Sequence, residues 1–231
     1  MQPKIEVAGV NSLLVRFSDQ VDRSLITYIG RFCEKLKQDF ADHLVDLIPS
    51  YTTVLVTYDL LKTSDAQVRD QLTSLLIDLE KEQKEGALSQ VSARCITLPV
   101  CYDRIYAPDI VELSKQLQLD IDEIIQLHSA QRYQVYAVGF SPGFGYLGEL
   151  DARLRVSRLA TPRTQVPAGS VAIAELNTAV YPQETPGGWW LIGRCPIPMF
   201  DKTREQPCLF SAGDEVIFEP ISTVEYKRLQ Q

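Results

Sequence analysis

The sequence predicts an α+β chain in two parts: a small α/β sandwich with an open sheet, then a closed or sandwiched β structure. Three observations carry this. Over the first ninety or so residues, strand-like runs alternate with amphipathic helical periods. A charged run, KEQKEG at 81–86, ends in Gly and reads as a linker. From residue 132 onward the strand-like pieces become short, and Gly and Pro divide them densely.

Residues 12–17 (SLLVRF) read as the first strand, and Ser18 stands where it can cap the helix that follows. Val21, Leu25, Ile29, Phe32 and Leu36 recur at helical spacing. The β-branched and aromatic run 53–58 (TVLVTY) is a second strand. Ser64 and Gln67 are spaced as a capping box, and Val68, Leu72, Leu75, Leu76 and Leu79 give the next helix one apolar face. Residues 93–100 look like a strand with two short helices after it. The second helix is expected to start at Asp120, with Glu123 at the reciprocal capping position and Ile121, Ile124, Ile125 and His128 on one face. Strands are then expected at 133–138, 170–174, 178–181, 188–193 and 215–218, with a short surface helix from Ser222 to Leu229.

Composition narrows the function. Hydrophobic residues make up 45% and charged residues 23%, which excludes a disordered chain and, with no long uncharged apolar run, a membrane span. The N-terminal apolar residues are interrupted by Lys4, Glu6, Asn11 and Arg16, so no signal-peptide core forms and a cytoplasmic protein is expected. The net charge of −7, without a basic run, argues against nucleic acid. Five cysteines without a C-x-x-C suit reduced thiols, and two histidines leave little for a metal centre.

The motifs are loops of unusual composition. Gly143, Gly145 and Gly148 formally satisfy G-x-G-x-x-G, but Pro142 precedes them and no long periodic helix follows, so the dinucleotide reading fails. A phosphate loop fails as well, because Glu149 stands where its Lys is needed. Read whole, GFSPGFGYLGEL (139–150) is either a buried turn plugged by aromatics or a pocket wall to which Phe144 and Tyr146 belong. In 161–171, prolines 162 and 167 stiffen the chain around Arg163, a natural fork for a carboxylate or phosphate, or else one half of an ion pair. Ser170 is either an anion donor or a turn residue. Trp189 and Trp190 follow a tight Pro-Gly-Gly turn. On a strand they face opposite sides, one into the core and the other toward a cleft or partner. His128, on the apolar side of its helix, is either a satisfied core residue or an acid-base group. Cys101 reads as structural, since neither base nor oxyanion site is visible beside it.

These blocks carry a resemblance. PVCYD (99–103), YQVYAVGFSPGFGYLGEL (133–150), TPRTQVPAGSVAIA (161–174), TAVYPQETPGGWWLIGR (178–194) and PCLFSAGDEVIFEP (207–220) are similar, in order and spacing, to the allophanate hydrolase subunit 1 family. That family includes 5-oxoprolinase B subunits and the KipI-type inhibitors of a sensor histidine kinase. The resemblance implies a ferredoxin-like domain over 1–88 and a cyclophilin-like β-barrel domain over 89–231. It implies an ATP-consuming opening of 5-oxo-L-proline to L-glutamate, carried out with partner subunits A and C, the latter carboxylase-like. Arg163 and Arg194 are the arginines it offers for anions; Ser170 is a weaker donor and Glu184 a weaker acid or base. A kinase inhibitor without chemistry, or a urea or allophanate hydrolase subunit, are the alternatives it leaves. Asn177-Thr178-Ala179 and Gly145 depart from the Gln-Thr-Gly and Pro usual at these places.

Overall fold

The computed structural model describes residues 3–86 and 93–230. Two compact units divide the chain, 1–92 and 93–231. The boundary expected between residues 88 and 89 lies outside the described residues.

The first unit is built from two hairpins, each followed by a helix. Strand β1 (Lys4–Gly9) pairs with β2 (Ser12–Arg16), and helix α1 (Ser24–Phe40) follows. Strand β3 (Leu44–Ser50) pairs with β4 (Thr53–Tyr58), and α2 (Asp65–Lys84) follows. β2 pairs with β4, so the four strands run β1-β2-β4-β3, all antiparallel. Each strand expected from the sequence is thus the second strand of a hairpin whose first strand is exposed and poorly alternating. The helices fill one face of the sheet: Leu25, Ile29, Phe32, Leu36, Val68, Leu72 and Leu79 share a core with Leu13, Val15, Val54 and Val56.

Two local expectations are corrected here. Ser18 accepts from Gln20 N–H instead of capping α1, which starts at Ser24, where Asp22 takes the first free N–H at 2.8 Å. Val21 therefore lies outside the helix and is exposed. The charged run at 81–86 is not a linker throughout, because α2 continues to Lys84, with Lys84 paired to Glu80 one turn earlier. The Ser64–Gln67 capping box forms as expected.

The second unit is mixed α+β. Its strands are β5 (Cys95–Val100), β6 (Arg132–Val138), β7 (Gly145–Gly148), β8 (Arg163–Val166), β9 (Ser170–Ala174), β10 (Asn177–Val180), β11 (Thr185–Gly187), β12 (Trp190–Arg194) and β13 (Glu215–Pro220). Helices α3 (Ile110–Leu117) and α4 (Ile121–Ser129) lie between β5 and β6, and α5 (Thr223–Leu229) closes the chain. The main sheet runs β5-β13-β6-β7-β10-β9-β12, antiparallel except for the parallel β5–β13 pair. β8 and β11 form a separate two-stranded ribbon.

The sheet is not a closed barrel. Among the described residues its end strands are bridged only where Cys101 and Arg194 exchange two main-chain bonds of 2.9 Å. Asp109 stops the ladder there. Its N–H donates to the Leu191 carbonyl at 3.2 Å, and its carboxylate accepts the Leu191 N–H at 2.7 Å, so the outer edge of β12 is already satisfied. The closed cyclophilin-like barrel implied by the resemblance is corrected accordingly.

Alternation along β9, β10 and β12 sorts the core into two faces. Val171, Ile173, Val180, Trp190 and Ile192 pack in one cluster. Ala172, Ala174, Ala179, Tyr181, Trp189 and Leu191 pack in the other. The stretch Gly145–Gly148, read from sequence as irregular, is strand β7. Its glycines give it room, since a Cβ at Gly145 would meet the Phe210 ring at 2.7 Å and one at Gly148 the Tyr136 ring at 2.7 Å. Asp120 precedes α4 but makes no side-chain cap, and Glu123 pairs with Arg153 at 3.4 Å instead of closing a capping box. Among the described residues no helix is long and apolar enough to cross a membrane. All five cysteines are free thiols.

Candidate functional site

The aromatic residues singled out from the sequence come together. Phe144 stands edge-on to Tyr146 (5.0 Å), Tyr181 (5.4 Å) and Trp189 (5.9 Å), and Tyr146 meets Trp189 at 6.2 Å. Such edge-to-face pairs add about 1 kcal/mol each beyond the area they bury. Phe144 and Trp189 are 2% and 6% exposed, so they are the floor of the region more than its wall; Tyr146 is half-buried. Trp190 points to the opposite face and is as buried as Trp189, with its indole N–H on the Ser157 carbonyl at 2.9 Å. Phe140, 68% exposed, adopts φ 76° and packs on Phe144 at 5.3 Å. A bulky residue in the left-handed region is strained and is commonest at functional surfaces.

Arg163 borders this floor from the ribbon. One terminal nitrogen, Nη2, donates to Oδ1 of Asp109, whose side chain is 9% exposed. The other, Nη1, is buried without a protein partner. The ion-pair reading and the anion-fork reading therefore each describe half of the guanidinium. Gly187 lies opposite Arg163 in the ladder, where any Cβ would collide with the Tyr181 hydroxyl. Tyr181 thus sits directly beneath the ribbon. Burial raises its pKa, and the charges of Arg158 and Arg163 act to lower it. Thr185, on the same ribbon, also has a buried hydroxyl oxygen without a protein partner.

Ser170 and Arg194 face each other in the β9–β12 ladder. Arg194 Nε donates to the Ala168 carbonyl at 3.0 Å and so holds the turn before Ser170. That turn needs Gly169 at φ 79°, where a Cβ would collide with the Cys195 carbonyl oxygen. Ser170 is buried, with its main chain bonded to Pro167 and Tyr181. Glu184 accepts from the Gln165 amide at 3.2 Å on the exposed side of the ribbon.

His128 lies on the other face of the sheet and is fully buried. Thr178 Oγ1 donates to the Ala172 carbonyl at 3.1 Å, so it accepts the His128 Nε2–H at 2.8 Å. Nδ1 then accepts from the Tyr102 hydroxyl at 2.7 Å. The ring stacks on Phe218 at 4.5 Å, and burial pushes its pKa down to about 3. A neutral, doubly bonded core imidazole is not an acid-base group at neutral pH. Cys101 is likewise buried, 3.7 Å from Thr223 Oγ1.

Asp109, Arg158 and Tyr181 were not among the residues singled out from the sequence. Asp109 follows a proline and precedes an apolar run, a helix-start signal that says nothing of its partner 54 residues away. The guanidinium of Arg158 lies over Trp189, 6.0 Å from the ring centroid.

Residues 3–210 match the family model of the carboxyltransferase domain, subdomain C and D. The chain is 34% identical to the 5-oxoprolinase B subunit of Bacillus subtilis over 227 residues, covering 96% of this chain and 95% of that protein. It is 45% identical to the 5-oxoprolinase B subunit of Haemophilus influenzae over 140 residues, 61% of this chain and 66% of that one. Among solved structures it is similar to the protein TTHA0988, with a TM-score of 0.78 at 32% identity, over 91% of this chain and 40% of that one. Urea amidolyase of Kluyveromyces lactis gives a TM-score of 0.72 at 17% identity, over 98% of this chain and 15% of that one, a likeness of fold alone.

Proposed function

The chain belongs to the carboxyltransferase-domain family, subdomain C and D, and from that premise we propose that it is the B subunit of an ATP-dependent 5-oxoprolinase. The reaction opens the lactam of 5-oxo-L-proline to L-glutamate. ATP passes its γ-phosphoryl group to the lactam oxygen and leaves as ADP; one water adds OH to the carbonyl carbon and H to the nitrogen as the ring C–N bond breaks, and a second water hydrolyses the resulting acyl phosphate to L-glutamate and phosphate. Phosphorylation of the lactam oxygen activates a poor electrophile, and donors at the site hold the oxyanion that develops.

One geometric observation carries the reading. Arg163 keeps Nη1 buried without a protein partner while Asp109 fixes its other end, and a substrate carboxylate satisfies that donor. Arg194 and Ser170 serve this reading by shaping the turn beside the ribbon. In this reading the site is completed by the partner subunits A and C. ATP is used by the complex, and Gly145–Gly148 of this chain is a strand and not a phosphate loop. Five free thiols support a cytoplasmic setting.

A second reading, the alternative that the family resemblance leaves, keeps the site and exchanges the lactam for urea or allophanate. Thermal unfolding of the complex separates the two, because a ligand stabilises the state that binds it. 5-Oxoproline raising Tm, with urea and allophanate inert, is expected. A rise with urea or allophanate alone overturns the oxoprolinase reading.

A further inference from the structure

Two hydrogen bonds bracket Arg158 and fix it at the rim of the aromatic floor. The Ser157 carbonyl accepts the Trp190 indole N–H at 2.9 Å, and Leu159 N–H donates to the Gly188 carbonyl at 2.7 Å. The guanidinium of the residue between them lies over Trp189, 6.0 Å from the ring centroid, where it is drawn to the face of the indole. Among the described residues no carboxylate pairs with Arg158, although the chain carries a net charge of −7. Across the rim, Arg163 offers its buried Nη1. Leu159 N–H is bonded to Gly188, Arg163 stands opposite Gly187 in the ribbon, and Gly187 covers the Tyr181 hydroxyl, so the neighbouring residues 187 and 188 bring both arginines to one corner.

Arg163 alone is a poor anion site. Asp109 offsets its charge, and a carboxylate arriving at Nη1 also feels the Asp109 carboxylate. A second, uncompensated cation removes that difficulty. We propose that Arg158 and Arg163 form a two-arginine corner for the substrate carboxylate, with Trp189 and Tyr181 as its floor, and that Arg158 sets the preference for an anionic over a neutral lactam. The proposal rests on the oxoprolinase reading and assigns a binding role to a residue that the family resemblance did not supply. A planar guanidinium already oriented by an indole loses little freedom on meeting a carboxylate, which favours it over a mobile surface lysine.

Arg163→Ala is a poor test, since it strips a buried carboxylate of its cation and threatens the fold. Arg158 is exposed, so its replacement leaves packing intact. The test is steady-state kinetics of the complex reconstituted from this full chain with partner subunits A and C, carrying Arg158, Arg158→Gln or Arg158→Lys. Expected for Arg158→Gln is a KM for 5-oxoproline raised about tenfold, the size of one lost charge-assisted contact, with kcat and the KM for ATP unchanged. Arg158→Lys recovers part of the loss, because the charge remains and the fork does not. 2-Pyrrolidinone, which lacks the carboxylate, inhibits all three complexes equally. An unchanged KM for 5-oxoproline, or an equal loss of 2-pyrrolidinone inhibition, overturns the proposal alone. Absence of glutamate from the complex holding the unsubstituted chain overturns the reading beneath it, and the proposal with it.

Discussion

The two faces of the sheet that carries β9, β10 and β12 treat polar groups in opposite ways. On the α4 side, Tyr102, His128 and Thr178 form a chain ending on the Ala172 carbonyl, and both imidazole nitrogens are used. On the ribbon side, Arg163 Nη1 and Thr185 Oγ1 are buried without protein partners, and Arg158 lies on Trp189 without a carboxylate. A satisfied buried network specifies one packing and asks for no ligand. An orphaned buried donor costs about 1–3 kcal/mol, a cost that a bound anion offsets. His128, with both ring nitrogens bonded, is therefore structural, and the groups left for a ligand under the proposed reading are the two arginines.

The comparison is most severely tested at His128. His128→Ala removes a stacked ring and leaves the buried Tyr102 hydroxyl without its acceptor, and should cost about 4 kcal/mol in denaturant unfolding. Arg163→Ala should cost about 3 kcal/mol by leaving Asp109 without its cation. A loss well under 1 kcal/mol there would mean that the pair is solvated, and would weaken the division between the faces.

The imidazole also sets a pH dependence. Its folded pKa of about 3 lies below the ordinary 6.5, so between these values the unfolded chain binds the proton and the folded one does not. The contribution is complete above about pH 6.5 and is lost as pH falls, with a limiting slope of about 1.4 kcal/mol per pH unit. Unfolding of His128→Phe across pH 4–7 should show that slope flattened by one proton. The smallest effect is expected at Arg158→Gln, within about 0.5 kcal/mol of the parent in stability, despite its predicted effect on KM.

Legibility followed the range of the interactions. The capping box of α2 and its apolar stripe are local, and the residues expected there are those found. The opposite facing of Trp189 and Trp190 follows from strand geometry alone, although both prove to be buried. What the sequence hid was non-local. β7 looked irregular because its glycines are required by Phe210 and Tyr136, residues distant in the chain. β8 and β11 are too short to show alternation. The stop in the sheet at Leu191 depends on Asp109, 82 residues earlier, and so the open ladder had no local signal. Arg163 could be picked out, but not the carboxylate that holds half of it, and Arg158 is placed by an indole bond to Ser157 and a main-chain bond from Leu159 that no spacing announces.

The most direct measurement is glutamate release from 5-oxoproline and ATP by partner subunits A and C, with and without this chain. Release only when the chain is present is the predicted result. Equal release without it, or none in any combination of folded subunits, would contradict the account.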